Sequence, residues 1–376
     1  MPVVKIAFLD VGQGDTTVIS CPETQEAIVV DCVDSSSVLD YLEKEHIKQL
    51  RGVIITHLHA DHYGDVADLL NNCADMVGIQ GCEVLATTED VVNPHDLHDS
   101  RKKSVSKKYP PDGDGHSYVY EQPQVGTRLS PSSALAKLYL WCKQNERKCE
   151  PLKATPHAKL PMEGTLVQSL KLLHPPHVDY QKLRMQGLNN ISVVLRVTGN
   201  GSSALLTGDL EPYGWQQLKA KSSNLASDIL KFPHHGGAWN EAQADDLLSA
   251  IQPSIAVIAV GSNNTYDHPK ADAFNSLRKR TDIHLLCTQA TDQCQSIVHN
   301  ERSAVVSKFK MQSEKNSAFF IRPGQKQCPC AGTIIIELDD KPRILQPIPS
   351  FHEDIIQVHF REHKCYRANL SALSLV

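Results

Sequence analysis

The chain has 376 residues, of which 41% are hydrophobic, and carries a formal net charge of −5 at pH 7. That is enough apolar material for one large core or two ordinary ones, and the acidic balance excludes a protein that holds nucleic acid by a broadly basic surface. Its longest apolar stretches, such as Ile255 to Val260, are strand-sized and too short to span a bilayer, no basic-then-apolar leader opens the chain, and its eleven cysteines are scattered; the expectation is a cytoplasmic protein with reduced thiols and no membrane association.

In chain order, Val3 to Leu9 predicts a strand ending in the glycine-bearing turn Asp10-Val11-Gly12-Gln13-Gly14-Asp15. Thr16 to Ser20 and Ala27 to Val30 continue it as a β-meander that stops at Asp31. Ser35 to Leu50 has helical periodicity, with serines suited to an N-cap and Val38, Leu39, Leu42, Ile47 and Leu50 near one face. A buried strand over Val53 to Thr56 and a helix over Tyr63 to Asn71 follow, and between them stands Thr56-His57-Leu58-His59-Ala60-Asp61-His62. The polar, turn-rich stretch at about 87–133, with its basic run Arg101 to Lys108, reads as an insertion. Helix Ala134 to Gln144 leads out of it.

Strand-like runs then return at Leu166 to Leu173, Ile191 to Val197, Ala204 to Leu206, Ile229 to Phe232 and Ile255 to Val260, with a helix over Ala242 to Ala250. After Cys287 come three short β-like runs, Ser317 to Ile321, Thr333 to Leu338 and Ile355 to Phe360. The expected division is a domain over 1–287, containing the insertion, and a C-terminal extension over 288–376 packed on it.

The histidine-rich loop points to metal. On extended backbone, residues two apart share a side, so His57 and His59 can grip one ion, while Asp61 and His62, where the chain turns into a helix, can face a second. Imidazole with some carboxylate suits zinc best, with manganese or iron as alternatives. Later strand ends bring more ligands: Asp209 as a carboxylate able to bridge two cations, and His234, or its neighbour His235, to complete the second ion. His174 is the candidate for the remaining position on the first ion, with His177 as fallback. Asp31, at its own strand end, can orient a ligand imidazole by hydrogen bonding.

These residues resemble the metallo-β-lactamase superfamily, whose mark H-x-H-x-D-H is spelled by His57 to His62. Phe8 to Asp15, Leu206 to Glu211, Phe232 to Gly236 and Asn264 to Pro269 resemble, in that order, the hydrolase domain of ComEC-type competence (DNA-uptake) proteins, over residues 3 to about 288. The resemblance implies an α/β fold, an αββα sandwich, with a two-metal cleft at one edge of the sheets. It also implies that Asp10 to Asp15 shapes a loop near the site and that His235, Asn190, Ser192 and His268 line it. The chain departs from those proteins in lacking their membrane channel part, in carrying the insertion, and in reading Gly236-Gly237 where they more often have Gly-Ser.

The reaction expected is metal-dependent hydrolysis of a phosphodiester in DNA or RNA, with a hydroxide held between two ions about 3.5 to 4 Å apart as nucleophile. Asp61, His235 and His268 are the catalytic candidates, the two histidines for developing charge or the leaving oxygen. The basic run offers phosphate contacts. Two rival readings stand beside it: a hydrolase of a small ester, nucleotide or lactone, and a non-catalytic regulatory module on the same fold. Cys287, Cys294, Cys328, Cys330 and Cys365 gather late in the chain, and four of them could surround an additional structural zinc.

Overall fold

A computed structural model describes residues 3–75, 84–87, 134–145, 149–152, 159–176, 179–262, 264–294, 297–321 and 327–359. Its strands along the chain are β1 (Val4–Phe8), β2 (Thr17–Cys21), β3 (Glu26–Val30), β4 (Gln49–Ile54), β5 (Val84–Thr87), β6 (Cys149–Pro151), β7 (Leu170–His174), β8 (Val194–Thr198), β9 (Ser203–Leu206), β10 (Ile229–Lys231), β11 (Ile255–Ile258), β12 (His284–Cys287), β13 (Ile334–Leu338) and β14 (Pro342–Gln346). They form two sheets, ordered β14-β13-β1-β2-β3-β4-β5-β6 and β12-β11-β10-β9-β8-β7. In each sheet a run of antiparallel strands passes into a parallel run, from β3 to β6 and from β9 to β12.

Strand alternation explains the layering. Successive side chains point to opposite faces, so a strand apolar at every position must be covered on both. In β3, Ile28 and Val30 join an apolar layer with Leu195, Leu206, Ile229 and Val257 of the other sheet, while Ala27 and Val29 pack outward with Val38, Tyr41, Leu42 and Leu69 of helices Ser35–Lys44 and Val66–Asp75. On the far side Leu205, Leu230, Ala256 and Leu285 meet Trp215, Leu247, Phe274, Phe309 and Ile355, all of them helical. The result is the αββα sandwich. Among the described residues no helix is long and apolar enough to cross a membrane.

The structure corrects several element boundaries. The helix expected to reach Leu50 ends at Lys44, with His46 at φ 54° breaking it, and Leu50 belongs to β4. Asp34, rather than a serine, caps that helix by accepting from Ser37 N. Leu166–Ser169 and Leu188–Ile191 are 3₁₀ turns ahead of β7 and β8. The expected strand at Ser317 to Ile321 is absent, and that over Ile355 to Phe360 is helix Pro349–His359, whose buried His352, Ile355, Ile356 and His359 follow a helical spacing. Residue 360 and most of the insertion, including the basic run, lie outside the described residues. Position 287 is no break in the sheets, because β13 pairs with β1 throughout its length.

Candidate metal centre

The chain turns that follow β1, β3, β4, β9 and β10 meet at one edge of the sandwich, which is where open parallel sheets present their ligands. Asp15 N donates to Asp61 O at 2.9 Å, Cys32 N to His62 O at 2.7 Å, Val193 N to Thr56 O at 3.0 Å and His234 N to Gly208 O at 3.2 Å, so backbone hydrogen bonds stitch these loops together across the two sheets. Gly14 has to be glycine. At φ +120°, a Cβ there would lie 2.6 Å from Asp61 O.

At the centre is Asp209, whose Oδ2 lies 3.1 Å from His62 Nε2, 3.6 Å from His235 Nε2 and 4.0 Å from His234 Nε2. Asp61 Oδ2 is 3.6 Å from His235 Nε2, and its Oδ1 is 4.0 Å from His62 Nε2. His57 Nε2 and His59 Nδ1 face each other at 2.9 Å. Asp15, His62, Asp209 and His235 each place a ligand atom within 4.8 Å of the others, and all four are buried. His62 Nε2, His235 Nε2 and Asp209 Oδ1 have no hydrogen-bond partner among the described residues. Buried lone pairs that converge without partners are costly, and a divalent cation is the group that satisfies them, so the donor set fits metal. His57 and His62 are fully buried, whereas the Asp61 side chain is 32% exposed and marks the open side.

The surrounding contacts set the tautomers. His62 Nδ1 donates to Asp31 Oδ2 at 2.7 Å, and Asp31 also accepts from Thr56 N and Thr56 Oγ1, both at 2.7 Å. His235 Nδ1 donates to Ala259 O at 2.6 Å. Both rings therefore turn Nε2 to the cluster. His234 and His235 are adjacent, at φ 52° and 51°, and this left-handed pair sends the two rings different ways: His235 toward Asp61, and His234 toward Asn189 Nδ2 (3.4 Å) and Glu211 (3.6 Å).

In the metal-free protein, protons balance the carboxylates. Burial alone would lower the pKa of both His62 and His235, yet Asp209 with Asp31 raises His62 well above its ordinary value, and Asp209, Asp15 and Asp61 raise His235 to about 9. Burial would raise Asp209, but His62 and His235 hold it well below the usual carboxylate range. A histidine whose pKa is raised on folding stabilises the fold fully below its unfolded value, near 6.5, and loses that contribution as pH climbs through its folded value. Metal-free protein should accordingly lose urea resistance between pH 6.5 and about 9. Metal-loaded protein should gain it over the same range, because ligands bind deprotonated.

Of the residues named from sequence, the structure gathers His57, His59, Asp61, His62, Asp209, His234 and His235, with Asp31 behind them. It does not bring His174 to them: His174 Nε2 donates to Asn190 O at 2.8 Å, and the charge acting on it is Lys221, beside burial. His177 lies outside the described residues. Asn190 is a scaffold group, accepting from Gly214 N at 2.7 Å and donating to Gln186 O and Glu211, while its neighbour Asn189 is the one at the site, with Oδ1 buried and unpartnered. Ser192 Oγ accepts from Asp209 N at 3.2 Å and lies 3.3 Å from His57 Nδ1, fully buried behind the cluster and away from the opening. His268 does border the cluster, 5.2 Å from the His234 ring and 6.2 Å from that of His235. Burial, then the two neighbouring histidines, holds it at about 3, so it is neutral and offers a hydrogen bond instead of charge.

Cys287, Cys294, Cys328 and Cys330 share one apolar cluster, yet among the described residues no three metal-ligating groups there come within 4.8 Å. Cys365 is outside the described residues.

Two residues at the site were missed. Asp15 was read only as part of a loop, and Lys231 not at all. Lys231 is 3% exposed and forms an ion pair with Asp15 Oδ2, donating also to Gly208 O at 3.3 Å. Its signal was available: in β10 it shares the inward face with Ile229, where a lysine is out of place unless paired.

Residues 9–118 match a family model described as the metallo-beta-lactamase superfamily. ComE operon protein 3 of Bacillus subtilis (strain 168) is 22% identical over 324 residues, covering 80% of this chain and 33% of its own. Competence protein ComA of Neisseria gonorrhoeae is 37% identical over 107 residues, 27% of this chain and 15% of its own. A hydroxyacylglutathione hydrolase of Shewanella baltica (strain OS223) is 43% identical over 60 residues, 16% of this chain and 22% of its own. The chain thus spans a third or less of the length of these relatives.

Proposed function

Because this chain belongs to the metallo-β-lactamase superfamily of metal-dependent hydrolases, we propose that it is a phosphodiesterase, a nuclease acting on DNA or RNA. The observation that carries the reading is the buried, partner-poor donor set around Asp209. His57, His59, His234 and Asp209 would hold one ion, and Asp61, His62, His235 and Asp209 the other. In this assignment His234 takes the place expected of His174, and the left-handed pair at 234–235 serves both ions. Divalent zinc or manganese bound there supplies Lewis acidity and a water of lowered pKa.

The chain's own groups position that chemistry and offer no rival to it. Ser192 has its hydroxyl engaged by Asp209 N and beside His57. The Cys32 thiol, next to Asp31, is pushed well above its usual value by burial and then by Asp65, so it is no thiolate nucleophile. Neutral His268 and the free Asn189 carbonyl oxygen are placed to hydrogen-bond a substrate. The likeness of four ordered stretches to ComEC-type hydrolase domains favours nucleic acid over small esters.

Plasmid, single-stranded DNA, RNA, and chromogenic esters and thioesters should be screened with added manganese or zinc, on wild type beside Asp61→Ala. Nucleic-acid cleavage that disappears in Asp61→Ala is expected. Turnover confined to esters would move the substrate class, and cleavage undiminished in the variant would place the activity elsewhere.

A further inference from the structure

Three nearly parallel rings lead from the cluster to solvent. The His235 and His268 rings are 6.2 Å apart at 22°, and His268 and Tyr266 are 5.7 Å apart at 18°. Tyr266 ends the column and is 52% exposed. Among the described residues, the other exposed large hydrophobics are Leu140, Met185, Met311 and Val358, all on helices, so Tyr266 is the aromatic among them and sits on a loop at the site.

Hydrogen bonds brace the loop on either side of Tyr266. Asn264 Nδ2 donates to Gly261 O (2.8 Å) and His268 O (2.9 Å), and His268 N donates to Asn264 Oδ1 at 2.7 Å. Gly237 makes room for the column: a Cβ there would lie 2.2 Å from His268 Cε1, so the serine more usual in ComEC-type domains would collide with the ring as it stands. The glycine and the histidine placement belong together.

A flat aromatic face that is exposed and stacked on His268 beside the proposed phosphodiester-cleaving centre matches one group that such a substrate carries next to its phosphorus. We propose that Tyr266 is a stacking platform for an unpaired nucleobase flanking the scissile phosphate, so that the strand is engaged single-stranded. This rests on the phosphodiesterase reading for its substrate class, and on the ring geometry for its residue. Stacking on an aromatic side chain is sequence-tolerant and does not rest on the chain's overall charge, which is acidic at −5.

The test is binding, so that it does not depend on turnover. Fluorescent phosphorothioate oligonucleotides, one single-stranded with bases and one abasic of equal length, are titrated by anisotropy into manganese-loaded wild type, Tyr266→Ala and Tyr266→Phe. Wild type and Tyr266→Phe should prefer the base-containing strand by about 5- to 150-fold, and Tyr266→Ala should lose that preference while abasic binding stays unchanged. A preference absent from wild type, or retained in Tyr266→Ala, overturns the proposal. Hydrolysis of methyl p-nitrophenyl phosphate, which has no base, is followed in parallel: its failure counts against the phosphodiesterase reading alone.

Discussion

Asp209→Asn should leave the protein folded, hold fewer than two ions, and hydrolyse phosphodiesters about a thousandfold more slowly or worse. One oxygen of Asp209 faces His62, His235 and His234 at 3.1, 3.6 and 4.0 Å, so among the described residues it is the only carboxylate oxygen within ion-pair reach of all three of these imidazoles. An amide keeps the volume and removes the charge that makes the oxygen a strong ligand. A two-ion centre supplies several kcal/mol of transition-state stabilisation, and each 1.36 kcal/mol is tenfold in rate, which sets the scale of about 10³. Metal analysis and kcat on the same preparation check it, with circular dichroism as the control for folding. A rate within tenfold of wild type would mean that Asp209 is not shared between ions.

Lys231→Met is the second large effect, on stability. The ammonium is buried, with a side chain 4% exposed, and its partner Asp15 is equally hidden at 2%. Burial would lower the lysine's pKa, but Asp15 and then Asp209 raise it, so it is charged in the fold. Removing one member of a buried pair strands the other, at a cost of about 3–5 kcal/mol, whereas a mere loss of packing at a similar volume costs about 1.5 kcal/mol or less. Urea denaturation of the metal-free variant distinguishes the two. Above about pH 9, where His235, 3.8 Å from Asp15, has lost the proton that Asp15 balances, the double variant with Asp15→Asn should recover most of the loss. A small effect in Lys231→Met with no recovery in the double variant would reduce Lys231 to filler.

The sandwich was expected from the family resemblance, and periodicity and punctuation agree with it. Val3 to Leu9, Ala27 to Val30 and Ile255 to Val260 are apolar at successive positions, as strands covered on both faces must be, and each runs into a turn that carries chemistry. What misled is equally local. Ile355 to Phe360 has β-branched residues, but its helix packs on helix Ile297–Lys315, where Phe351 meets Phe309 at a ring distance of 5.0 Å, and a short window does not contain that partner.

His57, His59, Asp61, His62, Asp209 and Asp31, which the structure brings together, could be named as candidates because their residue types sit at strand ends. The choice between His234 and His235 could not be made, since it depends on two left-handed residues in succession, a conformation that sequence rarely announces. His174 misled for the converse reason: a histidine after an apolar strand looks like a ligand, while this one satisfies a backbone carbonyl. Asp15 and Lys231 required seeing a long-range pair, which alternation in β10 could have hinted at.

We propose that two ions act together in a cluster centred on Asp209. This is tested most directly by titrating metal-free wild type with manganese while following both bound metal and phosphodiester hydrolysis. Little activity is expected through the first equivalent, with a steep rise to a plateau as the second binds. Full activity at one equivalent, or hydrolysis persisting in the chelated protein, would contradict it.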